Sequence, residues 1–439
     1  MENRYYQKDI ETMPVEEIKK LQEEKLIKQV KHVYENVEYY RNLCKEKGVT
    51  PDDIKCLDDI KKLPFLTKDN LREAYPYGML ATDVKNCTRI QSTSGTTGKR
   101  VVAFYTKNDI DLWEDCVARA ITAMGGTNED VCQICYGYGL FTGGAGLHGG
   151  SHKVGCLTIP MSSGNTERQI QFMLDLNSTI LCCTPSYAEY ISESLRERNI
   201  SPEDTKLRIG IFGAEPWTEE MRKSIEKSLG IKAYDIYGLT ETSGPGVAFE
   251  CTEQNGMHIN EDHFYAEIIN PDTGEVCKEG EKGELVFTSL DKEAFPLIRY
   301  RTKDICILSR EKCSCGRTFI KMTKPMGRTD DMMIVRGVNV FPSQIEAVLL
   351  KLGFSPNYYI ELDRKHFTDT IDIYVEMNKD NFYDTVKDIS NREKEIASEM
   401  RTMIGIGPQV HLVSPKSIER SEGKAKRVFD KRRKIGITT

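Results

Sequence analysis

Between residues 85 and 300, short β-rich runs alternate with stretches of helical periodicity, and this alternation narrows the fold more than any other feature. VCQICYGYG, STILCCTP, RIGIFGAE and KAYDIYG read as strands, because β-branched, aromatic and thiol side chains cluster in short blocks. TERQIQFMLDLN, YAEYISESLRERN and TEEMRKSIEKSLG read as the helices between them, with apolar residues at three- and four-residue intervals. Strands joined through helices run parallel, and a parallel sheet needs cover on both faces. The expectation is an α/β fold with ligands at the carboxyl ends of the strands.

Two regions depart from this pattern. FYAEIINPDTGEV, KGELVFTSL and ICILSR read as antiparallel strands, predicting a small β subdomain over about residues 264–326. After GRTDD the organisation resets: SQIEAVLLKLG is helical, NYYIELDRKHFTDTIDIYVEM a strand pair, TVKDISNREKEIASEMRTMI a polar helix and QVHLV a short strand. The chain is thus expected to divide into residues 1–327 and an α+β module of residues 328–439, and 439 residues suffice for two cores. Residues 1–50 read as charged amphipathic helices. A net charge of −6 argues against nucleic acid as an obligate partner. No apolar run approaches the roughly 20 residues of a membrane helix, and MENRYYQKDIETM lacks a signal-peptide core, so the expected location is the cytoplasm. The 14 cysteines then read mostly as buried, reduced thiols, among them Cys132, Cys135, Cys182, Cys183 and Cys306.

The stretch QSTSGTTGKR, residues 91–100, suits an anion. Glycines let successive backbone N–H groups converge, while Ser92, Thr93, Ser94, Thr96 and Thr97 add hydroxyls beside Lys99 and Arg100. The GxxxxGK[ST] loop does not fit, because Gly95 stands only three residues before Gly98 and Arg100 replaces the magnesium-binding hydroxyl. A phosphate loop of another type is expected.

Four more segments place chemistry at strand ends or boundaries. In KAYDIYGLTET, a strand closing on Asp235, Ile236 and Tyr237 turns at Gly238 toward Thr240 and Glu241. An exposed tyrosine there can stack on a purine and a glutamate can carry magnesium; a plain strand–turn–helix join would use the same residues. GIFGAEP is a second strand end, ambiguous alone. LIRYRTKD puts Arg299, Arg301 and Asp304 just after a β segment, where a carboxylate can accept two ribose hydroxyls; an Arg301–Asp304 surface pair is the competing reading. In GRTDDMMIVRGVNVFP, Gly327, Asp330, Asp331 and Gly337 are residues that either a hinge or a plain linker would contain.

STSGTTG, GAEP, YGLTE, YRTKD, GRTDD with VRGVNVFP, and a terminal SEGKAKR occur in the order found in adenylate-forming acyl-CoA synthetases, which the chain resembles. FTGGAGLH, EDHFYAEIINPDTGE, GELVFTSL and RGVNVFPSQIE look like the versions in the phenylacetate–coenzyme A ligase subfamily, and the likeness runs from Tyr5 to Arg432. The resemblance implies an ATP-dependent ligase that activates an aryl acid as acyl-AMP and passes the acyl group to coenzyme A. It implies a large N-terminal α/β domain and a mobile C-terminal domain. Ser92, Thr93, Ser94, Gly95, Thr96, Thr97, Gly98 and Lys99 would hold the ATP phosphates. Ala214, Glu215 and Pro216 would line the adenine, Tyr237 would stack on it after the turn at Gly238, and Asp235 would lie near its amino group. Thr240 would touch the α-phosphate, Glu241 would bind Mg²⁺, and Asp304 with Arg328 would grip the ribose. Asp330 would be the hinge and Gly337 would lie along the coenzyme A path. Lys424 would bridge carboxylate and α-phosphate; Lys426 lies two residues on, and the GKA match favours Lys424. Tyr136, Phe141, Ala145, Ile236 and Pro245 would form an apolar slot for the acid. The resemblance also suggests a homodimer, with the charged N-terminal helices as one means of pairing.

Other motifs compete. GGAGLHG holds GxGxxG at Gly144, Gly146 and Gly149, but CLTIPM begins within about seven residues, too soon for the helix of a dinucleotide site. His148 and His152 have helical spacing without the glutamate of HExxH. The Lys/Arg-rich tail reads as a solvated, catalytic-loop segment. Cys313 and Cys315 in CSCGR, with Cys251 and His258, make a closed ligand set for structural Zn²⁺, against which stand the uncommon C-x-C spacing and the reading of four unrelated surface residues. Two other functions are weighed: an adenylating enzyme that loads a carrier-protein thiol, and a nucleotide sensor without turnover. A sensor would not need Lys424 and Glu241 together.

Overall fold

A computed structural model describes residues 4–93, 100–329, 333–336, 338–354, 356–365, 368–377, 386–420 and 427–432. The most apolar strands form the middle of its main sheet. Ile180–Cys183 and Ile209–Gly213 are buried along their whole length, as strands covered on both faces must be. Leu157–Ile159, Val131–Ile134, Ile180–Cys183, Ile209–Gly213 and Lys232–Leu239 lie side by side in that order, all parallel. The sheet then changes sense. Gly244–Phe249 pairs antiparallel with Lys232–Leu239, and Met257–Ile259, Lys321–Met322, Tyr300–Ser309, Lys282–Ser289 and Phe264–Ile269 continue the same sheet, eleven strands among the described residues. The strands between residues 264 and 309 are therefore hydrogen-bonded to the parallel half through the short strands at 321 and 257.

The covering helices follow from local chemistry. Glu219–Leu229 begins at Thr218, whose hydroxyl accepts from the Met221 amide at 3.2 Å, and buries Met221, Ile225 and Leu229. It ends at Gly230, whose φ of +69° is the left-handed turn that glycine adopts without strain. Pro185–Glu197 starts the same way, on Thr184 with proline at its first position.

Two expectations change here. Arg301 and Asp304 sit within the strand Tyr300–Ser309, not after it, and Arg301 turns to Glu284 at 2.6 Å instead of pairing with Asp304. GGAGLHG, whose spacing argues against a dinucleotide loop, lies inside the helix Thr142–Val154. Its glycines allow close packing, since a Cβ at Gly146 would come within 2.5 Å of Trp113 and one at Gly150 within 2.4 Å of Val117. A run of glycines looks like a loop because glycine disfavours helix, yet tight helix–helix contact overrides that propensity.

Described residues between 333 and 432 have a core of their own, built on Ile345, Leu349, Ile360, Ile373 and Ile396. Their sheet runs Gln409–Val413, Thr368–Glu376, Tyr358–Lys365, Val428–Asp430, with the helices Pro342–Lys351 and Val386–Ile404. All fourteen cysteines are free thiols. Among the described residues no helix is long and apolar enough to cross a membrane.

The glycine contacts are testable. Gly150→Ala drives a methyl into Val117 and should cost about 1–3 kcal/mol in urea unfolding, as overpacked cores do, with ATP affinity unchanged.

Candidate active site

The adjacent ends of Ile209–Gly213 and Lys232–Leu239, next to the change of sheet sense, carry Ala214, Glu215, Pro216, Asp235 and Tyr237. Asp235 is buried, and its carboxylate accepts from the Trp217 indole at 2.8 Å; burial raises its pKa. The Lys324 ammonium sits 3.9 Å from the centre of the Trp217 ring. Tyr237 donates to one Asp304 oxygen at 2.5 Å, and Arg328 donates to the other at 2.8 Å. The sequence reading took Tyr237 as an exposed ring; it is buried, because Asp304 holds its hydroxyl and Phe287 lies beside it at 6.2 Å.

The turns are as constrained as the side chains. Ala214 adopts φ +70°, unusual for a residue with a Cβ and typical of strain held at functional sites. Glu215 accepts from the Ser186 amide at 2.7 Å, and Pro216 follows it. A Cβ at Gly238 would fall 1.7 Å from the Gly244 carbonyl, so the hairpin into Gly244–Phe249 closes only around glycine. Just beyond, Thr240 Oγ1 lies 3.5 Å from Thr142 Oγ1, and the buried Glu241 pairs with Lys68 at 3.1 Å.

The phosphate-loop residues Ser94, Gly95, Thr96, Thr97, Gly98 and Lys99 lie outside the described residues, as do Asp330, Gly337, Lys424 and Lys426. Both flanks of the loop are fixed: the Ser92 amide donates to the Leu140 carbonyl at 2.8 Å and the Thr93 amide to Val101 at 3.0 Å. Cys87–Ser92 and Val102–Thr106 pair antiparallel.

Of the acid-slot residues, Tyr136 and Ile236 are buried, Ala145 and Pro245 half-buried, and Phe141 is exposed at the start of the Thr142–Val154 helix. A Cβ at Gly143 would meet both Tyr136 and Phe141 within 3.2 Å, so these rings border one point. Trp113 lies beside them, donating to the Pro245 carbonyl at 2.9 Å.

Sequence reasoning missed Trp113, Trp217, Lys68 and Lys292. The tryptophans carried a signal, since the chain has only 2 and both line this region. Lys292 carried none. Its ammonium is buried, donates to the Thr242 carbonyl at 2.7 Å and lies 4.3 Å from the Tyr105 ring centre.

Away from this site, Cys251, His258, Cys313 and Cys315 bring their ligand atoms within 4.8 Å of one another. Cys251 Sγ and Cys313 Sγ are 3.7 Å apart, and Cys315 Sγ is 3.4 Å from His258 Nε2. His258 Nδ1 faces the Phe319 carbonyl at 3.4 Å, which leaves Nε2 turned to the sulfurs. The His148 and His152 rings instead lie 4.3 Å apart, tilted by 56°.

Two family profiles match the chain: AMP-binding enzyme over residues 11–290, and AMP-binding enzyme C-terminal domain over residues 337–432. A phenylacetate-coenzyme A ligase of Pseudomonas putida is 48% identical over 96% of each chain. One of Thermus thermophilus is 44% identical over 98% of this chain and 100% of its own. A 2-hydroxyisobutyryl-CoA ligase solved in its postadenylation state superposes with a TM-score of 0.92 at 26% identity, covering 98% of this chain and 93% of that one. The same ligase in its thioesterification state gives 0.72.

Lys292 yields a prediction with a definite sign. Burial lowers its pKa to about 8, below that of a solvated lysine, so between there and about 10 the unfolded chain binds the extra proton. Stability relative to Lys292→Met should therefore rise as pH climbs from 8 to 10. Urea unfolding of both proteins at pH 7, 8 and 10 measures it, and a gap independent of pH would refute it.

Proposed function

The chain belongs to the AMP-binding enzymes, and within them to the phenylacetate–coenzyme A ligases, and we propose that its own acid is phenylacetate or a close aryl relative. The reaction is ATP-dependent ligation of an acid to coenzyme A through an acyl-AMP. A carboxylate is too electron-rich for a thiol to attack. Its oxygen first displaces pyrophosphate from the α-phosphorus of ATP, and the coenzyme A sulfur then attacks the acyl carbon and releases AMP. The observation carrying the aryl preference is near-full-length similarity to phenylacetate ligases; the slot bordered by Tyr136, Phe141 and Trp113 supports it.

Each side chain has a task in this reading. Residues 92–99 hold the triphosphate. The Ala214–Glu215–Pro216 turn, Asp235 and Tyr237 receive the adenine, and Asp304 with Arg328 receives the ribose. The Tyr237–Asp304 and Arg328–Asp304 bonds keep those groups oriented before nucleotide arrives. Thr240 donates to the α-phosphate. Glu241 offers the single carboxylate that phosphate-bound Mg²⁺ usually takes from protein, and bound Mg²⁺ would neutralise phosphate charge. Lys424 bridges the reacting carboxylate and phosphate, where stabilising developing charge is the largest catalytic contribution. Residues 1–327 and 328–439 act as two bodies hinged at Asp330, so that Lys424 leaves when pantetheine enters past Gly337. A homodimer and a cytoplasmic location complete the reading.

The Cys251, His258, Cys313 and Cys315 set is read as a structural Zn²⁺ site. With Zn–S near 2.3 Å, two sulfurs on a tetrahedron sit about 3.8 Å apart, which the Cys251–Cys313 spacing of 3.7 Å matches. Three thiolate sources and one imidazole leave no open position, so the metal's role is structural.

Three measurements test these assignments. Acyl-CoA formation over a panel of aryl and aliphatic acids should favour phenylacetate or a near neighbour; pyrophosphate release without acyl-CoA would point to carrier-protein loading. Lys424→Ala should lose pyrophosphate exchange by about 10²-fold or more while still binding ATP, and unchanged exchange would remove the lysine from its role. Protein purified without chelator should hold about one zinc per chain, lost in Cys315→Ser. Zinc near zero with Cys313 freely alkylated would overturn that site.

A further inference from the structure

We propose that Glu193 and Glu197 form an electrostatic latch that holds the C-terminal domain over the N-terminal one during adenylation. Both lie at the C-terminal end of the helix Pro185–Glu197, four residues apart on one face. That is an unfavourable choice twice over: like charges at this spacing repel, and carboxylates stand at the negative end of the helix dipole. A local conflict of this kind points to a partner elsewhere.

The partners come from the other domain. Lys416 pairs with Glu197, and Arg420 reaches Glu193 through Nε at 3.3 Å and Nη2 at 3.4 Å. The cations are set before the domains meet. Glu376, on the strand Thr368–Glu376, grips Arg420 with both oxygens at 2.7 Å and accepts from the Ile418 amide at 3.2 Å. Ser417 closes the turn by donating its hydroxyl to the Ser414 carbonyl at 2.6 Å. The Glu376 contacts lie within one domain and survive any reorientation. Those to Glu193 and Glu197 cross between domains and exist only in this arrangement, the one that resembles a postadenylation state.

The position along the chain gives the latch its consequence. Arg420 precedes Lys424 by four residues, and Val428 follows Lys424 by four and begins the strand paired with Tyr358–Lys365. Of the described residues on either side of Lys424, Val428 is thus tied to its own sheet and Arg420 to the opposite domain. Glu193 and Glu197 are positioning residues, acting through the orientation of the domain. The proposal rests on the reading that the C-terminal domain swings between two half-reactions.

The test separates those half-reactions. In Glu193→Gln/Glu197→Gln, pyrophosphate exchange should fall about 5-fold, the scale of two partly exposed ion pairs. Single-turnover transfer from enzyme-bound acyl-AMP to coenzyme A should be unchanged or faster. Raising salt should slow wild-type exchange toward the variant. Reversing charge at both positions of one pair, Glu197→Lys with Lys416→Glu, should recover exchange lost in either single reversal. Equal loss in both half-reactions, full exchange in Glu193→Gln/Glu197→Gln, or no recovery in the charge swap would overturn the latch. Lys424→Ala reports separately: if it retains exchange, the lysine assignment fails while the split between half-reactions still judges the latch.

Discussion

The carboxylate of Asp304 is the joint on which the rest of the structure depends. One oxygen takes the hydroxyl of Tyr237, from the strand where the sheet reverses sense; the other takes Arg328, on the chain leaving for the second domain. A buried carboxylate with one partner would be costly, whereas with two donors it fixes three segments at once. In the function proposed above, the same geometry would bring the adenine and ribose groups together, and nucleotide recognition would share a residue with the exit of the chain at Arg328.

Buried ion pairs set the helices against the sheet in a similar way. Arg222, on the Glu219–Leu229 helix, donates to Glu250 at 2.7 Å and 2.9 Å, and Glu250 also accepts from the Asp235 amide at 2.8 Å. Arg119 holds Asp262 at 2.7 Å and 2.8 Å, and Arg299 holds Glu267 at 2.9 Å and 3.1 Å. Such pairs add little net stability compared with well-packed apolar residues, but a packing that separated the partners would strand a charge. Arg222 and Arg119 tie their helices to segments beside the sheet, and Arg299 ties the start of Tyr300–Ser309 to Phe264–Ile269.

The main strands were legible because their burial is written as continuous apolar runs, Ile180–Cys183 being the plainest. The site motifs were legible because glycine, hydroxyl and acidic residues at turns announce themselves locally. What escaped was non-local. Nothing near Lys292 in sequence says that its ammonium will meet Thr242, and nothing near Lys68 points to Glu241. The packing of GGAGLHG was hidden for the same reason, because neighbours that call for its glycines, Trp113 at Gly146 and Glu114 at Gly149, lie on another helix. Arg301 chose Glu284 over Asp304 because strand register, invisible in one dimension, put it there. The Cys/His set sits between these extremes: its chemistry was readable, whereas its convergence needed two distant loops to meet.

Two contacts beside that set join residues made far apart in time. Tyr5 donates to the Cys315 carbonyl at 2.7 Å, and Glu11 holds Arg317 in a fully buried pair, also at 2.7 Å. Tyr5 and Glu11 dock on partners about 300 residues later in the chain, a delay in synthesis on the order of 15–60 s at ordinary elongation rates. Until then the Glu11 carboxylate has no buried mate and its segment stays in water. Closure of this segment on the CSCGR loop therefore waits until residues 313–317 have been made.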